Sequence, residues 1–282
     1  MNLAVQLQKF GVFLARLVPV KVADKLAVIV GTLSCHISKG RRHYIEKNLY
    51  YIFSGEKIGR EKFNLDIKKT FINYSRTMVD FFRLGFISKD DFDVEPVGME
   101  NVKEALRHKR GCVMIGMHLG NWDYAGAYLA AIGLPMSALV EETDPEMLSL
   151  YTRHREHTGM KTFPLSRAAY AFVDTIKNNR VLAILADRDI VGNGVIVDFF
   201  SGKRKIPKGL SSIIIKKRLP VVFGYMVLNP PHKKRRYLAV IEPPIIFDGD
   251  VDEFTSLMIK KFEELLRCYP DQWFVFQPEW IG

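Results

Sequence analysis

The first third of the chain carries the hydrophobic period of amphipathic helices. Its apolar side chains recur at three- and four-residue steps, beginning with Leu3, Leu7, Phe10, Leu14 and Leu17. The same steps continue over residues 42–53 and 63–86. This period predicts a mostly helical region over residues 1–95.

From about residue 96, short apolar runs alternate with helical stretches. The runs have the length of strands and cover residues 112–117, 136–140, 181–186, 195–200, 219–228 and 237–241. The helical stretches cover residues 101–108, 122–132, 145–157, 166–178 and 208–217. This alternation predicts an α/β fold with a central, mainly parallel sheet flanked by helices.

The end of the chain adds one more helix and one more buried segment. Residues 251–268 place apolar side chains on one helical face, and residues 273–276 are all apolar. No linker or internal repeat separates the two patterns. We therefore expect a helical region, 1–95, and an α/β core, 96–282, joined in one continuous domain.

The N-terminal apolar stretches are too short or too interrupted to predict a firm transmembrane span. Residues 3–20 are broken by polar residues and a proline, and residues 23–35 form only a short apolar run. The pattern favours two short helices that lie on or dip into a membrane, followed by a basic run at 39–42 that would meet anionic headgroups. The alternative is a core helix with a solvated basic end.

The formal net charge of +10 favours an anionic partner, which phospholipid headgroups, nucleic acid and a phosphorylated cofactor would all satisfy. The basic stretches lack the interleaved aromatic side chains of a single-strand-binding surface, so nucleic acid is not expected. Three widely spaced cysteines without a Cys-x-x-Cys pair indicate neither a disulfide framework nor a zinc site. No nucleotide-binding glycine motif and no metal-ligand spacing is present.

The strand predicted over 112–117 ends in a polar turn that opens a helix. The turn contains His118, a candidate base at the rim of a sheet, and Asp123 follows in the first turn of the helix, where it would orient the imidazole. Gly120 permits a sharp turn, and Asn121 can cap the helix. A histidine followed five residues later by an acid is expected about once by chance at this composition. The alternative is a helix cap beside an ordinary loop histidine.

Two other polar clusters are candidates for ligand binding. Asp187-Arg188-Asp189 follows the apolar run 181–186 and would orient polar ligand groups, or form a self-neutralising surface network. Residues 201–220 hold seven Lys or Arg and no acid, which predicts an anion-binding loop before a helix. The chain has no Gly-x-Ser-x-Gly nucleophile motif, and Cys112 lies inside a predicted strand. A catalytic His118 would therefore activate a substrate hydroxyl or a water.

The hexapeptide around the histidine closely resembles a known signature, His-x-Gly-Asn-Trp-(Asp/Glu), of the lysophospholipid-acyltransferase-like family. It is most similar to the branch of bacterial lipid A biosynthesis (lauroyl/myristoyl) acyltransferases and mycobacterial phosphatidylinositol mannoside acyltransferases. Three further segments, at 41–49, 155–159 and 187–202, resemble other conserved blocks of this branch in the same order. The resemblance covers about residues 15–280.

The resemblance implies a glycerol-3-phosphate-acyltransferase-like fold and an O-acyltransferase activity. An acyl group would move from an acyl carrier protein or coenzyme A thioester to a hydroxyl of a lipid or glycolipid acceptor, without any other cofactor. His118 would be the general base and Asp123 would orient it, while Arg155 and the 203–208 stretch would hold phosphates. The full set of substrate-binding residues expected is Gly120, Asn121, Trp122, Arg155, Asp187, Arg188, Asp189, Lys203, Arg204 and Lys208. The expected location is the cytoplasmic face of the bacterial inner membrane, peripheral or N-terminally anchored on an anionic lipid surface.

The sequence departs from the family pattern at two positions. Ser201 interrupts the Phe-Phe-Gly block, and Ile196 stands where some glycolipid-acylating members carry an acid. Either Asp123 or Asp187 would then partner His118. Two other functions stay open at this point: a thioesterase or lysolipid hydrolase on the same scaffold, and a non-catalytic protein that binds anionic lipid.

Overall fold

A computed structural model describes residues 3–281, and their side chains from residue 5 onward. The ten helices within these residues are α1 Leu3–Leu17, α2 Val20–Ile37, α3 Lys39–Ile52, α4 Arg60–Arg83, α5 Met99–Leu106, α6 Trp122–Ala131, α7 Pro145–Glu156, α8 Ala168–Asn178, α9 Lys208–Lys217 and α10 Val251–Cys268. The ten strands are β1 Val94–Val97, β2 Cys112–Gly116, β3 Met136–Val140, β4 Lys161–Pro164, β5 Val181–Leu185, β6 Val195–Phe199, β7 Gly202–Ile206, β8 Val221–Leu228, β9 Tyr237–Ile241 and β10 Trp280–Ile281.

The central sheet has seven strands in the order β1-β9-β8-β2-β5-β3-β4. The five strands from β8 to β4 run parallel, whereas β9 pairs antiparallel with β8 and carries β1 parallel to itself. Helices cover both faces of the sheet. Alternate residues of β2 therefore belong to different apolar cores. Val113 packs in a core with α8, α9 and α10, and Cys112 packs in one with α5 and α6. The predicted α/β class, with a mainly parallel sheet flanked by helices, is confirmed.

One predicted strand does not join this sheet. Residues 195–199 form β6, which pairs antiparallel with β7 in a separate three-stranded sheet completed by β10. The connection between β6 and β7 turns at Phe200, whose φ is +51°. The basic stretch after it is therefore a strand, not the loop predicted at 203–208. Burial alternates along β7, as it does in a strand with one covered face.

The N-terminal helices pack closely on α4. The buried positions of α2 are the small residues Ala23, Ala27, Gly31 and Cys35, spaced four apart on one face. A Cβ atom at Gly31 would lie 2.6 Å from the Cα of Ile72 in α4, so the two backbones approach to a distance that only glycine permits.

The first helices and the sheet also share one apolar core. Ile45 and Leu49 of α3 and Phe71 of α4 belong to the same buried cluster as Val113 and Ile115 of β2. The helical region is therefore packed against the α/β part rather than tethered to it.

The opposite faces of α1 and α2 are uncovered. They expose large apolar side chains at Leu7, Phe10, Phe13, Leu17, Val22, Leu26, Ile29, Val30, Leu33 and Ile37. Within residues 3–281, no helix is both long enough and apolar enough to cross a membrane.

Candidate active site

The register of two parallel strands brings His118 and Asp187 together. Gly116 at the end of β2 is paired with Leu185 at the end of β5. His118 and Asp187 each follow two residues later, although they are 69 residues apart in the chain. Both residues follow the ends of parallel strands, so the pair stands at the carboxyl edge of the sheet, the position favoured for sites in parallel sheets. β2 lies between β5 and β8, in the middle of the sheet.

The carboxylate of Asp187 holds the imidazole in one orientation. Its Oδ1 lies 2.8 Å from Nδ1 of His118 and also accepts a hydrogen bond of 3.1 Å from the His118 backbone N–H. Its Oδ2 accepts a hydrogen bond of 2.9 Å from Nε1 of Trp273. With the proton on Nδ1, the lone pair lies on Nε2, which is the form of histidine that accepts a proton.

Asp187 remains a carboxylate despite its burial. Burial alone would raise its pKa, but the charge and hydrogen bond of His118, the indole of Trp273 and the cation of Arg204 more than offset that cost. Its pKa therefore lies well below the ordinary value for Asp. The site thus contains a permanent anion directly behind the histidine.

Arg204 supplies that cation from a fully buried position. Its side chain is 1% exposed, and its guanidinium lies 4.6 to 5.5 Å from the ring centroids of Trp273, Trp280 and Phe199. Its Nη2 donates a hydrogen bond of 3.0 Å to the backbone oxygen of Asp187. This corrects the prediction that Arg204 binds substrate. On β7 it points inward, and aromatic faces cover it.

The turn after His118 is fixed by backbone bonds. Gly120 has a φ of +62°, and a Cβ there would overlap the carbonyl oxygen of Met226. Its N–H donates to the oxygen of Gln272 at 2.8 Å, and the N–H of Phe274 donates to the oxygen of His118 at 2.8 Å. The sequence predicts only that the C-terminal segment is buried. In the structure its backbone hydrogen bonds hold the turn in place.

Asn121 is also occupied inside the protein. Its Oδ1 accepts from the N–H of Tyr124 at 3.1 Å, which caps α6, and its Nδ2 donates to the hydroxyl of Tyr237 at 3.0 Å. Asn121 is buried, as is Gly120. Both were predicted to bind substrate, but the structure assigns them to shaping the turn.

An ion network around the buried Asp80 continues from Asn121 to α2. The hydroxyl of Tyr237 donates to Oδ2 of Asp80 at 2.5 Å, and Nε of Arg236 contacts the same oxygen at 2.8 Å. Nη1 of Arg236 also contacts Oδ1 of Asp24 in α2 at 2.9 Å. Burial raises the pKa of Asp80, and Arg236 opposes that shift only in part.

Asp123 does not contact the imidazole. Its Oδ1 lies 2.6 Å from Nε of Arg155, and the two side chains are about equally shielded from solvent. Asp123 stands in the first turn of α6, facing α7, which carries Arg155. Of the two carboxylates that the sequence offered to His118, the structure places Asp187 against it and pairs Asp123 with an arginine.

An open cleft of about 560 Å³ lies in front of the histidine. His118, Asp123 and Arg155 line it together with two further arginines, Arg41 and Arg188. No serine or cysteine is among the described residues that line it. Cys112 lies in β2 instead, where burial raises the pKa of its thiol to about 12.

The chain is similar to known proteins. A model of the bacterial lipid A biosynthesis acyltransferases matches residues 3–281 of the chain. The chain belongs to the bacterial lipid A biosynthesis acyltransferase family. It is an acyltransferase, and the resemblance found in its motifs is confirmed.

The relatives of this acyltransferase fall into two groups. It is 30% identical over 225 residues to a phosphatidylinositol mannoside acyltransferase of Mycobacterium tuberculosis, with 74% of this chain and 68% of the relative covered. The corresponding protein of Mycolicibacterium smegmatis is 27% identical over 225 residues, with 77% and 72% covered. A lipid A biosynthesis acyltransferase of Haemophilus influenzae is 22% identical over 268 residues, with 94% and 83% covered. Relatives of both groups indicate acyl transfer to a lipid or glycolipid.

The other predicted site residues of the acyltransferase are spread over several places. Trp122 lines the cleft, with its ring centroid 5.0 Å from that of His118. Arg188 also lines it and pairs with Glu279 at 2.8 Å. Asp189 instead accepts backbone hydrogen bonds from Gly192 and Gly194, which shapes a loop.

Lys203 and Lys208 are exposed and are not among the residues that line the cleft. Lys203 lies 3.6 Å from Asp198 across the β6–β7 pair. Their predicted contact with a substrate phosphate finds no counterpart in the cleft. Within residues 3–281, no cluster of His, Cys, Asp and Glu is arranged to hold a metal ion.

Trp273 and Arg41 were missed as site residues. The sequence shows Trp273 only as part of a buried tail. Its role depends on contacts with Asp187, which follows β5, and with Arg204 of β7. Arg41 belonged to a basic run that was assigned to headgroups. Their roles follow from the tertiary structure alone.

Proposed function

We propose that this acyltransferase moves a fatty acyl group from an acyl thioester to a hydroxyl of a lipid or glycolipid acceptor, with His118 as the general base. The observation that carries the proposal is the His118–Asp187 pair at the edge of an open cleft whose described lining contains no serine or cysteine. A histidine oriented by a buried carboxylate can deprotonate a hydroxyl. In this cleft that hydroxyl comes from the acceptor.

The reaction is a direct transfer. Nε2 of His118 takes the proton of the acceptor hydroxyl as its oxygen attacks the thioester carbonyl carbon. The tetrahedral intermediate collapses with cleavage of the carbon–sulfur bond. The departing thiolate of the acyl carrier protein or coenzyme A then receives the proton from the imidazolium, whose charge Asp187 stabilises.

The cleft contains groups suited to the charged and apolar parts of these substrates. Arg155 and Arg188 would stabilise the oxyanion or hold phosphates of the donor. A narrow apolar crevice continues from the cleft between the sheet and α5 and α6. Trp122 and Gly126 line both spaces, and Met114, Met117 and Met226 line the crevice. The crevice has a volume of about 60 Å³, and we assign it to part of the acyl chain of the donor.

The exposed apolar faces of α1 and α2 support a membrane location. Phe10 and Leu17 of α1 and Ile29 and Leu33 of α2 are each more than half exposed. A surface of this kind is stable when it is buried in the interfacial region of a bilayer. We propose a peripheral or N-terminally anchored position on an anionic lipid surface at the cytoplasmic face of the inner membrane, where acyl thioesters are available.

Transfer from a radiolabelled acyl thioester to a lipid extract tests the proposed function. His118→Ala is expected to lower acyl transfer by roughly 10²–10⁴-fold. The exposed His157 provides the control, and His157→Ala is expected to retain wild-type transfer. Full activity in His118→Ala would overturn the proposal. Free fatty acid as the sole product in the presence of lipid acceptors would identify a hydrolase instead.

A further inference from the structure

A second cavity of about 410 Å³ lies between α1, α2 and α4. This volume is within the roughly 300–1,000 Å³ range of small-molecule pockets. Apolar side chains form most of its wall, among them Leu14 of α1, Leu26 and Val30 of α2, and Met78 and Phe82 of α4. We call this cavity the helix groove.

The helix groove and the cleft adjoin each other. Arg41, Tyr74, Met78 and Phe276 line both of them. A lipid whose chain lies in the groove would therefore have its headgroup next to the cleft. The cleft then has two apolar extensions, the crevice beside the sheet and the helix groove.

The outer mouth of the groove lies within the apolar surface of α1 and α2. Leu14, Leu26 and Val30 line the groove and are 39%, 47% and 54% exposed. Because these side chains belong to the surface assigned to the bilayer, the groove opens on that side. A hydrocarbon chain can enter it from the bilayer without passing through water.

Arg41 stands where the groove meets the cleft. Among the described residues that line the groove, it is the one charged side chain. Its guanidinium carbon lies 5.9 Å from the ring centroid of Phe276, and within the described part of the chain no carboxylate forms an ion pair with it. A guanidinium without a carboxylate partner can bind a phosphate.

We propose that the helix groove binds a hydrocarbon chain of a phospholipid acceptor and that Arg41 binds the phosphate that joins this chain to its headgroup. The order apolar groove, cation, base along the protein matches the order chain, phosphate, hydroxyl along such a lipid. This inference rests on the proposed function and assigns the residues that hold the acceptor at the same site.

Three acceptors separate the contributions of the chain and the phosphate. They are a phosphatidylinositol mannoside, the same headgroup as its water-soluble glycerophosphate, and the headgroup without phosphate. Ser75 of α4 lines the groove, and Ser75→Phe would fill it. We expect this variant to lower the ratio of kcat/KM for the lipid to kcat/KM for the glycerophosphate by roughly tenfold, because the lost contacts are apolar. The matched control is Ser256→Phe on the exposed face of α10, which is expected to keep the wild-type ratio.

Arg41→Gln tests the phosphate contact. It is expected to lower the ratio of kcat/KM for the glycerophosphate to kcat/KM for the phosphate-free headgroup by roughly tenfold. Lys260→Gln removes one positive charge at an exposed position of α10 outside the groove and is expected to keep the wild-type ratio. Equal losses on both acceptors in Arg41→Gln would overturn the phosphate assignment.

Two outcomes would overturn the groove assignment. One is an equal loss on all acceptors in Ser75→Phe, and the other is a loss that grows with the chain length of the acyl donor. Should Ser75→Phe fail to fold, photocrosslinking of the unmodified protein decides. A diazirine-tailed phosphatidylinositol mannoside is expected to label Met78, Val79 or Phe82, which line the groove from α4. Labelling that spares these residues contradicts the assignment. If the wild-type protein transfers acyl groups to none of the acceptors, the proposed function itself fails.

Discussion

The indole Nε1 of Trp273 donates a hydrogen bond of 2.9 Å to Oδ2 of Asp187. The other oxygen of that carboxylate contacts His118, so the indole fixes the carboxylate that orients the imidazole. Trp273→Phe keeps an aromatic ring in the core but removes the donor. We expect kcat to fall by about tenfold, the value of one buried hydrogen bond of about 1–1.5 kcal/mol. Single-turnover kinetics would measure this loss, and an unchanged kcat would show that Asp187 is held without the indole.

The two candidate carboxylates should differ in their effects. Asp187→Asn removes the anion behind His118 and is expected to lower kcat by roughly 10²–10⁴-fold. Asp123→Asn is expected to cost much less in kcat and to change KM, because Asp123 contacts Arg155 and not the imidazole. Steady-state kinetics of both variants tests this. A larger kcat loss for Asp123→Asn would restore Asp123 as the partner of the base.

Gly120 should tolerate no side chain. Gly120→Ala would place a Cβ at positive φ against the carbonyl oxygen of Met226, and we expect a loss of about 3 kcal/mol in the free energy of unfolding. Gly133 also has a positive φ, but open space surrounds it. Gly133→Ala is therefore expected to cost about 1 kcal/mol. Denaturant unfolding of the two variants should separate the cost of the atomic overlap at Gly120 from the cost of the backbone strain at a positive φ. Equal losses in the free energy of unfolding would contradict the packing described for the turn.

The neighbours Arg235 and Arg236 offer a matched test of ion pairing. Arg236→Met would leave the buried Asp80 without its cation, and we expect the free energy of unfolding to fall by about 3–5 kcal/mol. Arg235 forms an exposed pair with Asp93 at 3.4 Å. Arg235→Met should cost less than about 1 kcal/mol. Similar losses in chemical denaturation would mean that the network is not a buried one.

Membrane binding should depend on the outward faces of α1 and α2. Phe10 and Ile29 are 57% and 55% exposed, and Val173 on α8 is exposed to a similar degree, 60%. Replacing Phe10 and Ile29 with Asp is expected to weaken binding to anionic vesicles by about tenfold or more, because two apolar side chains leave the bilayer. Val173→Asp should leave vesicle cosedimentation unchanged. If the variants cosediment alike, the membrane surface lies elsewhere.

The sequence predicts the helices, most strands of the central sheet and the position of His118, because these depend on local periodicity. It does not select the partner of His118, since Asp123 is close in sequence while Asp187 is brought in by the pairing of β2 with β5. The edge strand β1 was missed because it is four residues long and contains Pro96.

Arg204 shows why charge alone is a weak guide to function. The basic run from 203 to 208 looks uniformly solvated in composition. Its alternation along β7, however, turns Lys203 and Lys205 outward and Arg204 inward. The period of two was present in the sequence, but strand residues are not expected in so basic a segment. The buried position of Arg204 becomes evident only in the structure, where aromatic side chains of β6 and of the C-terminal segment surround its guanidinium.

The packing of α2 also bears on how this enzyme could be handled in the laboratory. Its small residues lie against α4, and Asp24 contributes a carboxylate to both Arg76 and Arg236. Deleting the first two helices would strip these contacts from the remainder of the protein. A form of the enzyme that lacks the exposed apolar surface is therefore better obtained by substituting polar residues on the outward faces of α1 and α2 than by truncation.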